Sequence, residues 1–265
     1  MKKLLLSMIF AFACVLSAQD VPEAAMESEE SGMAPSISFM TGYYTRNMGE
    51  GVISNPERNI QSELEIGMFG FHAGITGIFD LTNATGYRND FEEFDYSLGY
   101  GYTFEDVPCI GALSLDLTWT YYDINRASSD DYQEIAMGIS LDDLFLAPSL
   151  TINHDYENGT WWAEAAVSHS YALSFISEDL SWDNSLFVYF GNSNWVEGST
   201  GYRRAGLSNA VLATGLSYAV SENITLGFEA DFSFALDSNV RNAMRADENN
   251  NRNNICLAFT VGMEF

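Results

Sequence analysis

The stretch that decides the fold is ICLAFTVGMEF, residues 255–265. Counting back from Phe265, every second residue is apolar: Met263, Val261, Phe259, Leu257 and Ile255. Between them lie Glu264, Gly262, Thr260, Ala258 and Cys256. Side chains alternate faces along a strand with a period of two, so the segment carries one apolar face and one small or polar face. Its length suits a tilted strand crossing a bilayer core, which takes roughly 9–11 residues at about 45°. A soluble sandwich can hold such a strand too, so the rest of the chain must repeat it.

It does. Ile37, Phe39, Thr41 and Tyr43 alternate with Ser38, Met40, Gly42 and Tyr44. Leu64, Ile66 and Met68 alternate with Glu63, Glu65 and Gly67; a tight reversal at Phe69-Gly70 leads to Phe71, Ala73, Ile75 and Phe79 against His72, Gly74, Thr76 and Asp80. Phe94 to Phe104 is set against Glu93, Asp95, Ser97 and Gly99, and Leu113 to Tyr121 against Ser114, Asp116, Thr118 and Thr120. Weaker copies start near Glu134, Ser149, Trp161, Leu186 and Leu212; the one at Trp161 is rich in small residues and its facing is left open. Ile224 to Phe234 against Thr225, Gly227, Glu229 and Asp231 is clear again. With the last stretch these make about twelve strands, and single-chain bacterial barrels have even numbers. Connections after even strands are mostly short (Phe69-Gly70, Glu105 to Ile110, Asp142 to Phe145, Ser221 to Asn223). Several after odd strands are long and polar (Asn47 to Arg58, Asn83 to Asp90, Ile124 to Asp131, Gly191 to Arg204, Asp237 to Asn254). That asymmetry suits a barrel with short periplasmic turns and longer outer loops. The expectation is an all-β, transmembrane up-and-down antiparallel barrel over residues 35–265.

Met1 to Ala18 reads as a secretory signal: Lys2 and Lys3, an apolar run from Leu4 to Leu16, then Ser17-Ala18 before Gln19. The run falls short of the ~18 residues of a spanning helix. An acylated Cys14 is the alternative. Residues 19–34 form an acidic tether without periodicity. Of the 11 basic residues, Lys2 and Lys3 lie in the signal, leaving nine arginines against 37 acids and a net charge of −28. Nucleic acid is excluded as a partner, since its recognition needs a basic footprint. With 14% aromatic and 47% hydrophobic residues the chain is too apolar to be a disordered acidic one. Cys109 and Cys256 are expected at opposite barrel ends, beyond the ~7 Å of a disulfide, as free thiols.

The arginines obey a restriction the acids do not. Arg46, Arg58, Arg88, Arg126, Arg203, Arg204, Arg241, Arg245 and Arg252 all fall in or beside long loops and none in a short turn. There a guanidinium fork can bind lipopolysaccharide phosphates or loop carboxylates. Acids also populate the inward face: Glu63, Glu65, Asp80, Glu93, Asp95, Asp116, Glu134, Asp155, Glu229 and Asp231. Charge on the lipid side is costly at mid-depth, and carboxylates do not all stay ionised in a dry interior. A partly wet, narrow bore with a negative field follows, and acidic rings favour cations.

Catalytic chemistry is poorly supported. Asn153-His154-Asp155 and Ser168-His169-Ser170 hold candidate bases and nucleophiles, but neither assembles a nucleophile, base and orienter at one depth. His72 reads as a polar lumen residue. Asp247-Glu248-Asn249 could offer oxygen ligands to a divalent cation, though a flexible polar loop explains it better. No catalytic residue, cofactor or metal is therefore assigned.

Two resemblances add to this reading. A final strand ending in aromatic Phe265 is similar to the sorting signal that the barrel-assembly machinery reads in outer-membrane proteins. Four pieces resemble the TorF-type porin family: Tyr43-Tyr44-Thr45-Arg46-Asn47 followed by Gly49, Pro56 with Gln61, Gly70-Phe71-His72-Ala73-Gly74, and Glu93-Phe94-Asp95-Tyr96-Ser97-Leu98-Gly99-Tyr100. Asn47 stands where glycine is expected. The resemblance implies a passive-transport protein of the bacterial outer membrane with no catalytic residues. The expected function is a porin-like channel for small cationic or neutral solutes, in contact with lipid and lipopolysaccharide. The alternatives are a plugged surface-interaction barrel and, less favoured, an outer-membrane hydrolase.

Overall fold

Twelve strands close into one antiparallel ring, built from the alternating stretches above. A computed structural model describes residues 35–82, 89–125, 130–246 and 253–265. The signal segment with Cys14, the tether at 19–34, Arg88, Arg126, Arg252 and Asp247-Glu248-Asn249 lie outside those residues.

The ring strands are β1 (Ser36–Tyr44), β4 (Asn59–Met68), β5 (Phe71–Asp80), β6 (Asp90–Val107), β7 (Gly111–Ile124), β8 (Tyr132–Ser140), β9 (Ser149–Asp155), β10 (Thr160–Ala172), β11 (Leu180–Gly191), β12 (Gly206–Ser221), β13 (Ile224–Ala235) and β14 (Asn253–Glu264). Each pairs with its neighbours in chain order, and β1 closes on β14 through Phe39↔Met263 and Tyr43↔Phe259. Closure extends to the last residue: Phe265 N–H donates to the Ile37 carbonyl at 2.9 Å, and Ile37 N–H to the Phe265 carbonyl at 3.0 Å. A closed ring leaves no sheet edge to pair with another chain.

The period of two sorts residues into two shells. Ile66, Leu98, Leu117, Met137, Ile152, Leu186, Leu212, Phe232 and Ile255 all expose their side chains on the outside, an apolar girdle far more continuous than soluble monomers carry. Among the described residues no helix is long and apolar enough to cross a membrane, so any crossing is made by strands.

Turns at the end where β1 starts and β14 finishes span 69–70, 108–110, 141–148, 173–179 and 222–223. β6 runs on to Val107, so the expected turn from Glu105 shrinks; Asp106 and Cys109 adopt positive φ there. Cys109 is exposed at this end and Cys256 buried towards the other, both as free thiols. The Phe69-Gly70 reversal has φ of 55° and 81°, the left-handed pair that a two-residue hairpin needs. A Cβ on Gly70 would lie 2.5 Å from the Gly101 carbonyl oxygen. Gly70→Ala is therefore expected to cost about 1–3 kcal/mol, read as a lower urea midpoint of unfolding from lipid vesicles. Gly262→Ala, whose Cβ would meet open space, should leave that midpoint nearly unchanged.

The far-end connections depart from the expected polar loops. Residues 45–58 contain a separate hairpin, β2 (Asn47–Gly49) with β3 (Val52–Asn55). Two others contain short helices, α1 (Ser193–Thr200) and α2 (Ser238–Met244). The 156–159 connection at this end is short, because Asp155 accepts the N–H groups of Glu157 and Asn158, both at 2.9 Å, and tightens it.

Candidate functional site

The candidate site is the bore, beginning with the hairpin at its far-end mouth. Its base is tied to β14: Thr45 N–H donates to the Leu257 carbonyl at 2.9 Å, and Leu257 N–H to Thr45 Oγ1 at 2.9 Å. Cys256 Sγ lies 3.3 Å from the Arg46 carbonyl. The chain reverses at Glu50 and Gly51, with φ of 45° and 77°, which again turns a two-residue hairpin. Gly51 is required by space as well, since a Cβ there would sit 2.0 Å from Asn209 Nδ2.

Polar contacts then fasten the hairpin to opposite walls. Asn55 Nδ2 donates to Glu92 Oε2 at 2.9 Å, both residues being fully buried. Asn209 Nδ2 donates to the Glu50 carbonyl, and Ser233 Oγ to the Gly51 carbonyl. Glu92 lies on β6 and Asn209 on β12, six strands apart in either direction around the ring of twelve. The hairpin thus lies across the bore.

Apolar side chains seal the same level. Val52 of the hairpin packs in one cluster with Tyr189, Val211 and Ala235 of the wall, Trp195 and Val196 of α1, and Val240 and Met244 of α2. Each helix is capped before it starts. Asn192 Oδ1 accepts Trp195 N–H at 3.0 Å, and Asp237 Oδ1 accepts Asn239 N–H at 2.7 Å. The N–H groups of Asn239 and Val240, together with the Arg204 guanidinium, hold the Asp237 carboxyl below its usual range.

Below lies a wall of acids and aromatics. Glu134 accepts Tyr122 Oη at 3.3 Å and Trp162 Nε1 at 3.4 Å. Trp162 stacks on Trp195 with ring centroids 5.7 Å apart, and Tyr122 on Tyr132 at 4.3 Å. Glu164 bonds Tyr189. Lower still, a cavity of about 150 Å³ is lined by Asp183, Ser185, Ser217, Glu229 and Thr260; Asp183 is held there by Ser170 at 2.6 Å and Ser217 at 2.7 Å.

The pairing registers place Glu63, Glu65, Glu93, Asp95, Asp116, Glu134, Glu229 and Asp231 on the face opposite the apolar girdle. Asp80 shares that parity but is fully buried, and its Oδ1 accepts Thr82 N–H at 2.8 Å, so it shapes its own turn. Asp116 accepts Thr118 Oγ1 at 2.6 Å and lies 3.6 Å from His72 Nε2. Among the arginines, Arg203 pairs with Glu197 at 2.7 Å, Arg204 pairs with Asp237, and Arg241 donates to the Ala235 carbonyl at 3.2 Å. Arg58 and Arg245 are exposed and Arg46 is half-buried at the hairpin base.

Two candidate bases turn outward. His169 packs between the rings of Phe145 and Tyr171, each centroid 4.4 Å away, while Ser168 and Ser170 alternate to the interior face. His154 Nδ1 meets the Thr160 carbonyl at 2.8 Å, and its partner across the ladder is Trp161.

Glu50, Glu92, Asn55, Glu164, Asn209 and Ser233 went unassigned in the sequence. One signal was present: Glu50-Gly51 between the apolar Met48 and Val52-Ile53 has the form of a tight hairpin.

No family model and no curated protein matches the sequence. Among solved structures, the chain is similar to an outer membrane channel from Pseudomonas putida F1 at 8% identity and a TM-score of 0.52, over 91% of this chain and 100% of that one. Outer membrane phospholipase A from Escherichia coli is similar at 10% identity and a TM-score of 0.47, over 86% of this chain and 92% of that one. An anion-selective porin from Comamonas acidovorans is similar at 8% identity and a TM-score of 0.39, over 87% of this chain and 98% of that one. What this chain shares with the Pseudomonas putida channel is the closed antiparallel barrel.

Proposed function

We propose that this protein is a porin-like channel of the bacterial outer membrane for small cationic or neutral solutes, held with its mouth closed by the 45–58 hairpin. One observation carries the reading: a continuous apolar girdle and a wall rich in carboxylates occupy opposite faces of the same strands. Oil outside and water inside is the environment that satisfies both. Asp95 Oδ1 and Asn153 Nδ2, buried without a protein partner, fit a hydrated interior, since buried polar groups need partners. An excess of wall carboxylates raises the local cation concentration. The TorF-type resemblance agrees with passive transport, and exposed Arg58 and Arg245 at the loop end suit lipopolysaccharide phosphates.

Planar-bilayer recordings across a potassium chloride gradient test this. The expected reversal potential lies on the cation-selective side; one on the anion-selective side overturns the acidic-bore reading. The hairpin itself favours a second reading, a permanently plugged barrel that works through its loops. Liposome swelling with sugars of graded size separates the two, because a permanent plug admits none of them. A hydrolase would instead show lipase or protease activity that is lost on changing His154 or His169.

A further inference from the structure

The tip of the hairpin brings one carboxyl, that of Glu50, into a bore already crowded with acids, while Glu57 stays exposed. Glu93 on β6, Glu134 on β8 and Glu164 on β10 act on it from the wall. Tyr122 on β7, Tyr132 on β8 and Tyr189 on β11 feel its charge in turn. On β12 and β13 the groups that hold the hairpin tip, Asn209 and Ser233, are neutral, and the two helices contribute Trp195, Val196, Val240 and Met244 to the cluster. No described arginine is among the groups that act on Glu50.

We propose that residues 45–58 form a pH-operated gate: the hairpin seats across the bore while the Glu50 carboxyl is protonated and leaves when it ionises. The inference rests on the channel reading and adds its regulation. Geometry favours a moving part. The hairpin pairs only with itself as a sheet, is tied to the ring at its base through Thr45, and meets the two facing walls through side-chain hydrogen bonds alone, Asn55 to Glu92 on one side and Asn209 and Ser233 to its tip carbonyls on the other.

Burial, and after it the charges of Glu134, Glu164 and Glu93, raises the seated Glu50 from 4.5 to about 7. Below pH 4.5 the carboxyl is protonated whether seated or released, and seating is unopposed. Between pH 4.5 and about 7 only the released form ionises, so each step up in pH favours release. Above about 7 the opposition is complete, and the ratio of seated to released hairpin has fallen on the order of a hundredfold. The gate is shut in acid and open at neutral to alkaline pH.

The test uses the full-length protein in planar bilayers at pH 5 and pH 8. Wild type should be closed for most of the record at pH 5 and conduct at pH 8. Glu50→Gln should stay closed at both. A variant with residues 47–55 replaced by two glycines should conduct at both. A readout independent of current uses Cys256, buried at the hairpin base beside the Arg46 carbonyl, with Cys14 and exposed Cys109 changed to serine. At pH 8 a charged maleimide should label Cys256 about tenfold more slowly in Glu50→Gln than in wild type. Equal labelling at pH 8 and matching pH responses of wild type and Glu50→Gln, with the hairpin-free variant conducting, overturn the gate and leave the channel standing. A hairpin-free variant that folds but carries no current overturns the channel reading, and the gate with it.

Discussion

Leu117→Arg is expected to prevent the barrel from inserting into vesicles, the largest effect of any single substitution considered. Leu117 stands at the middle of β7, beside Tyr100 on β6 and Met137 on β8, with its side chain 55% exposed on the outer face. If that face meets hydrocarbon, an arginine at mid-depth costs about 2–4 kcal/mol, a large share of the net stability of a single domain. Folding yield into phosphatidylcholine vesicles, read from the heat-modifiable shift on a gel, should fall steeply. Asp116→Asn, one residue earlier and on the interior face, should insert as wild type does. Normal insertion of Leu117→Arg would remove the girdle from contact with lipid and the membrane reading with it.

The second large effect is on selectivity. Combining Glu63→Gln, Asp95→Asn and Asp231→Asn removes one interior acid from each of β4, β6 and β13. Aligned carboxylates in a low-dielectric wall concentrate counter-ions by tenfold or more, so the cation preference at pH 8 should drop about tenfold. Salt provides an internal check. The screening length shrinks from about 10 Å at 0.1 M to about 3 Å at 1 M, so wild type and variant should differ strongly in dilute salt and converge in concentrated salt. Unchanged reversal potentials in dilute salt would mean that these side chains do not face the conduction path.

The strands were readable because alternation is a local property. Ile255 to Phe265 must put Leu257 and Phe259 on one face and Cys256 and Ala258 on the other, whatever surrounds it. Twelve such stretches with reversals between them leave closure as the way to satisfy both ends of the sheet. Alternation also separates Ser168 from His169, although the two are neighbours in the chain. It could not show that Asp80 would be absorbed by its own turn, because parity says which way a side chain points and nothing about what it meets.

The segment from Asn47 to Arg58 is where reading from the chain alone fell short. Asn47, Glu50, Asn55, Glu57 and Arg58 look like a solvated loop. Their partners are remote: Glu92 for Asn55, Asn209 for the Glu50 carbonyl, Ser233 for the Gly51 carbonyl. The same holds for α1 and α2, whose Trp195, Val196, Val240 and Met244 bury themselves only because Val52 and Val211 arrive beside them. Sequence by itself determined the barrel and the facing of its clearly alternating strands, since both follow from a repeat of two residues. Tertiary structure alone decided that the mouth is closed, because that closure depends on pairing polar groups separated by up to 182 residues along the chain, which no local pattern encodes.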